Sequence, residues 1–413
     1  MVLRAPGMPL ILLTVSVAFA GFALLLPVSP LWASQGGANE FGAGLATTVL
    51  MATTVLTQLQ VNRWLGKWGW TRTLALGLVA LGLPAAFQAL SPELWVVLGT
   101  NALRGIGFGI ITVCGATAVA LLVPPEARGR GVGLYGLAVS IPQLVLMTLA
   151  PLLTDGIGIR WTIVLGVVPL LALPLVWPLG AQISRQTADD PSVSHGGASV
   201  LRVLPLVWMP VLALLLVTAS GGAVLTFAPL IANNTAVAMT ILLGVTGVAA
   251  VGRWLVGGLS DRYGTRPFIW SLLVVGAVGL GAIALALFRD DPWFMIAGAA
   301  LLGLAYGALQ TVTLVRCFAE AGEANRPSTS VIWNVGFDVG TGTGAMLIGA
   351  LAGGFGFGQA FAVTGVVLAA VATTEAEVGV VAPPVAGAVS TWAVAAREMT
   401  GASSPSLPWA PTE

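Results

Sequence analysis

Long apolar runs recur along almost the whole chain, and they constrain its fold more than any other feature. One of them, residues 211–231, reads VLALLLVTASGGAVLTFAPLI. A helix needs roughly 20 apolar residues to cross a hydrocarbon layer about 30 Å thick, and many of the runs reach that length. Strands of a membrane barrel would be about 10 residues long and would alternate in polarity. The chain is therefore predicted to be an all-α membrane protein.

The composition excludes several classes of protein. Of the 413 residues, 57% are hydrophobic and only 8% are charged, whereas a soluble protein is about a quarter charged. A net charge of +1 without a basic tract gives no reason to expect a nucleic-acid partner. The sequence has no phosphate-binding glycine loop, no nucleophile beside a base and no metal-ligand spacing. We therefore expect no enzymatic activity, no cofactor and no metal.

Twelve apolar segments are candidate transmembrane spans. They are residues 8–33, 41–65, 73–91, 94–122, 131–154, 160–180, 203–231, 235–258, 267–288, 293–316, 327–352 and 358–372. The first is interpreted as a retained helix because it lacks a clear cleavage site. The last has only about 15 apolar residues, fewer than a crossing normally requires. Either it continues through Glu375 and Glu377, or this end of the bundle is atypical.

The longest polar segment, residues 181–202, divides the apolar runs into two sets of six. Its Ser, Asp and Gly content is typical of a linker. We predict an N-terminal six-helix bundle at 1–180, a cytoplasmic linker at 181–202 and a C-terminal six-helix bundle at 203–385. Residues 386–413 are predicted to be a disordered cytoplasmic tail.

The two sets of six also resemble each other. A shift of 198 residues lays Arg128 over Arg326 and Tyr135 over Trp333. Similarity at one near-constant offset indicates a duplicated six-helix unit, which is a common transporter architecture.

The basic residues predict the orientation in the membrane. If the N-terminus is cytoplasmic, fourteen of the 17 fall at cytoplasmic ends or loops, whereas Arg160 and Arg289 lie outside and Arg104 lies within the bilayer. This bias predicts a multi-pass protein of the cell membrane with both termini in the cytoplasm. We expect it to act as a monomer embedded in the lipid bilayer.

A polar loop, GGLSDRYGTRP at residues 257–267, interrupts the apolar sequence between the eighth and ninth spans. Its characteristic residues are Gly257, Asp261, Arg262, Gly264 and Arg266. The pattern resembles a loop that members of the major facilitator superfamily carry between the second and third helices and often again here. The resemblance implies twelve transmembrane helices in two pseudo-symmetric six-helix bundles, and it is nearest to bacterial drug or metabolite efflux members.

The corresponding loop of the first half, NRWLGKWGWTR at residues 62–72, keeps Lys67, Gly69 and Arg72 but has Gly66 where the family has its acid. The resemblance implies that these loops form a gate, in which the acid pairs with a basic group or a helix N-terminus in one state only. A basic loop that simply satisfies the positive-inside rule is the alternative, and it is the better interpretation of the first copy.

Two ionisable residues lie near the middle of predicted spans. Arg104 stands about ten residues into its span, where the superfamily often has an arginine, and Asp338 stands about eleven residues into its own. Desolvation favours the neutral carboxyl group, so Asp338 is predicted to take up and release a proton. Arg104 is predicted to be its electrostatic partner or a substrate anchor. A static ion pair with a packing role is the alternative.

Other polar residues at membrane depth are candidate substrate contacts. They are Asn101, Gln143, Gln310, Trp333 and Asn334. For each of them an interhelical hydrogen bond is the alternative interpretation. Trp333 and Asn334, beside Asp338, are the strongest candidates because aromatic and amide groups orient ligands in largely apolar pockets.

These features predict a secondary transporter that exports a small lipophilic compound or metabolite in exchange for protons by alternating access. Uptake or facilitated passage of a small organic anion, with Arg104 binding its carboxylate, is the alternative within transport. A non-transporting membrane sensor on the same fold is the alternative outside it, because fold does not fix function.

Overall fold

The computed structural model describes residues 5–123, 128–189, 200–322 and 325–381. Twelve helices within these ranges are long and apolar enough to cross a membrane. They confirm the predicted all-α architecture. The predicted tail, residues 386–413, lies outside the described residues.

The twelve helices have the following bounds in chain order. They are α1 (Met8–Gln35), α2 (Glu40–Gln58), α3 (Val61–Gln88), α4 (Leu94–Leu122), α5 (Arg128–Pro142, a π-helical turn Gln143–Met147, and Thr148–Ile157), α6 (Ile159–Val164, a 3-10 turn Leu165–Ala172, and Leu173–Asp189), α7 (Val200–Ile231), α8 (Thr235–Tyr263), α9 (Arg266–Arg289), α10 (Pro292–Ala321), α11 (Arg326–Phe355) and α12 (Phe357–Val381).

The second predicted span, 41–65, was wrong at its end. Helix α2 stops at Gln58, and the apolar residues beyond it belong to the first turns of α3. Val61 is fully buried there, so this short helical segment uses its apolar side to pack on the bundle. Gly69 has φ 75 and breaks the helix before the membrane-spanning part begins.

The bounds of two other predicted segments also change. Helix α12 continues through Glu375 and Glu377 to Val381, which settles the alternatives for the last span. Helix α6 extends to Asp189 and α7 begins at Val200, so both helices enter the segment predicted as a linker. The change to polar composition shows where these helices leave the apolar region. The helical backbone itself continues for several residues into the polar segment. Residues 190–199 lie outside the described residues.

The packing of the helices repeats from the first six to the last six. Helix α4 packs on α2 and α3, and its counterpart α10 packs on α8 and α9. Across the two sets, α2 packs on α11, α5 packs on α8, and α1 packs on α7. The surfaces of α2, α5, α8 and α11 therefore meet around the centre of the molecule.

The backbone carries the same repeat. Gly69 has φ 75 in the turn before the membrane part of α3, and Gly264 has φ 80 in the turn between α8 and α9. Gly158, between α5 and α6, has φ 87, and Gly356, between α11 and α12, has φ 85. Residues other than glycine rarely adopt this region, so equivalent corners of the two halves depend on equivalent glycines.

Candidate functional site

A cavity of about 60 Å³ lies between the two halves. Its wall comes from α1, α2 and α5 on one side and from α7, α8, α10 and α11 on the other. Most of the lining is apolar, and it includes Phe22, Leu26, Met51, Met147, Leu225 and Phe337. The polar lining groups are Ser140, Gln143, Thr246, Arg253, Tyr306 and Thr341. Such a volume holds only a few water molecules, so a larger ligand requires the halves to separate.

Asp338 joins the two halves beside this cavity. Its Oδ2 atom accepts a hydrogen bond of 2.8 Å from Nε2 of Gln58 on α2, and the Asp338 residue is 5% exposed. The same Gln58 nitrogen lies 3.3 Å from the hydroxyl oxygen of Thr112 on α4. The neighbour of Asp338 in the chain, Phe337, lines the cavity. The one acidic side chain predicted deep in the bilayer is therefore held by an amide of the opposite half.

Arg253 is a charged group of the cavity wall that the sequence analysis assigned to a cytoplasmic helix end. It lies ten residues before the end of α8 at Tyr263, which is roughly 15 Å along the helix axis. Its Nη2 atom donates to Oε1 of Gln310 at 2.5 Å, and Nη1 lies 3.4 Å from the hydroxyl oxygen of Ser140 on α5. Counting residues back from the loop residue Gly264, and not from the end of the apolar run, would have placed Arg253 well inside its helix.

Arg104 does not meet Asp338, so its predicted role as electrostatic partner was wrong. The residue is fully buried inside the first half. Its guanidinium donates to Oδ1 of Asn101 at 2.8 Å, to the carbonyl oxygen of Gly21 at 3.3 Å and to the hydroxyl of Ser29 at 3.4 Å. These partners belong to α4 and α1. Arg104 therefore fastens helices of one half together and does not line the cavity.

Replacing Arg104 by glutamine is expected to lower the unfolding temperature of the purified protein. Hydrogen bonds to a charged group contribute about 1.5–3 kcal/mol each, and the shorter side chain leaves their buried acceptors unpaired. Arg316→Gln is a matched control, because Arg316 pairs with Glu320 in a partly exposed bridge worth about 0–1 kcal/mol. Thermal unfolding followed by tryptophan fluorescence compares the two. Equal unfolding temperatures would contradict a structural role for Arg104.

The structure distributes the five predicted substrate contacts over different surroundings. Gln143 lines the cavity, and Gln310 reaches it through Arg253. Asn101 is engaged by Arg104. Trp333 donates its ring N–H to the hydroxyl of Thr313 at 3.1 Å, and Asn334 is exposed and donates to the backbone of its own helix. The Trp333 ring also stacks on the ring of Phe337, a cavity-lining residue, with ring centres 6.0 Å apart.

The wall contributed by α5 is irregular where the cavity lies. Pro142 has no N–H to donate, and the five residues after it, Gln143–Met147, form a π-helical turn. Gln143 and Met147, at the two ends of this turn, both line the cavity. Single π turns inside α-helices occur frequently at functional sites because they redirect side chains.

The halves are in tight contact at the ends of the helices away from the chain termini. The hydroxyls of Thr47 on α2 and Thr226 on α7 lie 3.1 Å apart, and Thr48 donates to the carbonyl oxygen of Gly342 at 2.8 Å. A Cβ atom added at Gly44 would lie 2.3 Å from the backbone oxygen of Ala345. The helices α2 and α11 thus approach each other backbone to backbone.

Toward the chain termini the same face of α11 is uncovered. Ala345, Thr341 and Asp338 are buried, whereas Asn334 and Val331, one and two turns earlier, are exposed. On α8, no atom lies within 4 Å of the Cβ position at Gly257. The gap between the halves therefore opens on the side that carries the termini.

The predicted gate loops adopt the turns that their glycines suggest. Gly264 follows the last residue of α8, and the guanidinium of Arg262 lies 5.3 Å from the ring centre of Tyr263. The side chain of Asp261 is outside what the structure describes, so its pairing in the gate stays a prediction. In the first loop, Trp64 stacks on Trp68 with ring centres 5.6 Å apart.

No group of three or more His, Cys, Asp or Glu side chains that could hold a metal ion lies within the described residues. The chemistry available in the cavity and beside it is that of the Asp338 carboxyl group, the Arg253 guanidinium and several hydroxyls and amides. These groups can exchange protons and bind polar atoms of a ligand.

Comparison with known proteins adds family relationships. A family model described as Major Facilitator Superfamily matches residues 11–321 and 211–392. The multidrug resistance protein MdtG of Citrobacter koseri is 24% identical over 367 residues, covering 84% of this chain and 89% of that protein. The uncharacterized MFS-type transporter Rv1877 of Mycobacterium tuberculosis is 24% identical over 245 residues, covering 59% of this chain and 33% of that protein. The chain spans about a third of the length of this mycobacterial relative.

Solved structures share the fold. A bacterial homolog to the human lysosomal transporter Spinster, in an inward-facing and occupied conformation, has a TM-score of 0.72 at 17% identity and covers 90% of this chain and 96% of its own. The nucleoside transporter NupG has a TM-score of 0.70 at 12% identity, and the match covers 89% of this chain and 99% of the NupG chain.

Proposed function

This chain belongs to the major facilitator superfamily of membrane transporters, and on that premise we propose that it exports a small, largely apolar compound in exchange for protons. The observation that carries the proposal is the contact between Gln58 and Asp338. It puts Asp338, an acid near the middle of its helix, on the boundary between the two halves, next to the cavity. A proton bound there changes a contact that both halves share.

The coupling follows from the strength of this hydrogen bond. An ionised carboxylate accepts a hydrogen bond roughly twice as strong as a neutral acceptor does. Proton uptake by Asp338 therefore weakens the link from Gln58 and favours separation of α2 from α11. Release of the proton restores the link. Alternating access driven by protons requires such a two-state element, whose equilibrium the bound proton shifts.

Export is supported by the mostly apolar wall of the cavity and by the similarity to a protein named for multidrug resistance. The cavity boundary contains Phe22 and Phe337, whose rings suit a compound with a substantial apolar body. The distribution of basic residues supports an arrangement in which both termini lie in the cytoplasm. The uncovered face of α11 then opens to the cytoplasm.

Membrane vesicles of defined orientation test the direction. Everted vesicles with an acidic interior are expected to accumulate members of a labelled panel of lipophilic cations, neutral amphiphiles and small organic acids. A protonophore should abolish the accumulation. Accumulation in right-side-out vesicles alone would mean uptake, and equilibration without a gradient would mean a facilitator. Either result would contradict export by proton antiport.

A further inference from the structure

Arg253 is incompletely satisfied by the protein. Its Nη2 atom has a close acceptor in Gln310, but Nη1 reaches Ser140 only at 3.4 Å, near the limit for a hydrogen bond. The Nε atom is buried and has no hydrogen-bond partner. The guanidinium of Arg253 therefore has N–H groups that could still donate to a ligand in the cavity that this residue lines.

The charge of Arg253 also lacks a counter-ion. Its two hydrogen-bond partners are a neutral amide and a neutral hydroxyl. Within the part of the chain whose side chains are described, no acid forms a salt bridge with Arg253. The nearest acid in the site, Asp338, is engaged by Gln58. A membrane-embedded cation without an anion is costly, and it favours binding of one.

We propose that the cavity takes a small amphipathic monoanion whose carboxylate binds Arg253. This inference rests on the proposed function and narrows its substrate to one charge class. A guanidinium presents parallel donors that match a carboxylate in a bidentate pair. Aromatic and aliphatic groups of the same lining, among them Phe22, Leu225 and Phe337, would contact the apolar body. A second cation is missing from the described lining, which disfavours dianions such as phosphate monoesters.

Three compounds of nearly equal shape test the charge preference. Phenylacetate, phenylacetamide and 2-phenylethylammonium carry charges of −1, 0 and +1 on the same ring. Their binding to the purified full chain in detergent is measured by isothermal titration calorimetry. Phenylacetate is expected to bind roughly tenfold or more tightly than the amide, because its hydrogen bonds are charge-assisted. Tighter binding of the amide or the ammonium, or no binding of phenylacetate, would overturn the proposal.

Variants assign the preference to Arg253. Arg253→Gln should reduce phenylacetate binding to the level of the amide, and Arg253→Lys should keep part of the preference because it keeps the charge without the planar fork. Arg316→Gln, which removes an arginine far from the cavity, should bind like wild type. An unchanged preference in Arg253→Gln would show that Arg253 only fastens α8 to α5 and α10. If Arg253→Gln does not fold, the proposal is still tested by Arg253→Lys and by the order in which the wild type binds the three compounds.

The result is separable from the outcome for proton coupling. Calorimetric binding of phenylacetate to the wild type is measured at one pH and without a gradient, so it does not require proton movement. Anion binding that depends on Arg253, in a protein that moves no protons, would support this inference and reject antiport. Proton-coupled transport of cations or neutral compounds alone would support antiport and reject anion binding at Arg253.

Discussion

Asp338→Asn is expected to abolish proton movement coupled to substrate while exchange of substrate down its own gradient continues. Asparagine has the shape of the acid and can still accept the hydrogen bond from Gln58, so the contact between the halves is kept. What it cannot do is bind and release a proton at physiological pH. The pH-driven component of transport should fall to the level of empty liposomes.

The matched control for this substitution is Glu93→Gln, which neutralises an exposed acid outside the bilayer region. It should transport like the wild type. Substrate counterflow, measured without a pH gradient, reports whether the Asp338 variant is folded and still alternates. Retained pH-driven accumulation in Asp338→Asn would remove the proposed role of this residue.

Gly44→Val is expected to disfavour closure of the halves at the ends away from the termini and to slow transport. The first side-chain atom would lie 2.3 Å from the backbone oxygen of Ala345, and a backbone atom cannot rotate away. Overpacking of this kind costs about 1–3 kcal/mol. In a two-state equilibrium that corresponds to roughly a 5- to 150-fold shift toward the separated state.

Thiol labelling detects the separation. Thr47→Cys introduces a thiol at a position that is 2% exposed, beside Thr226 of the other half. Its reaction with a membrane-impermeant maleimide should be slow in the otherwise wild-type chain and fast when combined with Gly44→Val. The native Cys114 and Cys317 are fully buried and give a low background.

A control for the glycine change is Gly99→Ala on α4, where no atom lies within 4 Å of the added carbon. It should leave both labelling and transport unchanged. Slow labelling together with normal transport in Gly44→Val would show that α2 and α11 tolerate a larger separation than the structure implies.

The fold could be predicted from sequence because membrane-spanning helices have a length and composition that few other structures share. The resemblance of the 257–267 loop to the major facilitator superfamily is confirmed by the family model. The predicted helix ends were wrong in places, as at residues 59–65. Apolar side chains there pack a short helical segment against the bundle and do not extend a membrane-spanning helix. Apolarity alone does not distinguish these two uses.

The candidate site was only partly predictable. The depth of Asp338 followed from counting residues along its helix, but its partner did not, because the register of α2 against α11 is set by packing. Arg104 was assigned to the wrong surroundings for the same reason. Arg253 was misplaced in depth, because its position was counted from the end of the apolar run and not from Gly264. A sequence gives the depth of a residue along its helix, and it does not give the direction in which the side chain points.

The most direct test of the account is proton flux through the purified protein in liposomes that hold a pH-sensitive dye, under an imposed pH gradient. A transported compound is expected to dissipate the gradient with wild type and not with Asp338→Asn. A labelled compound that equilibrates across the membrane while the dye signal stays constant would contradict proton-coupled transport.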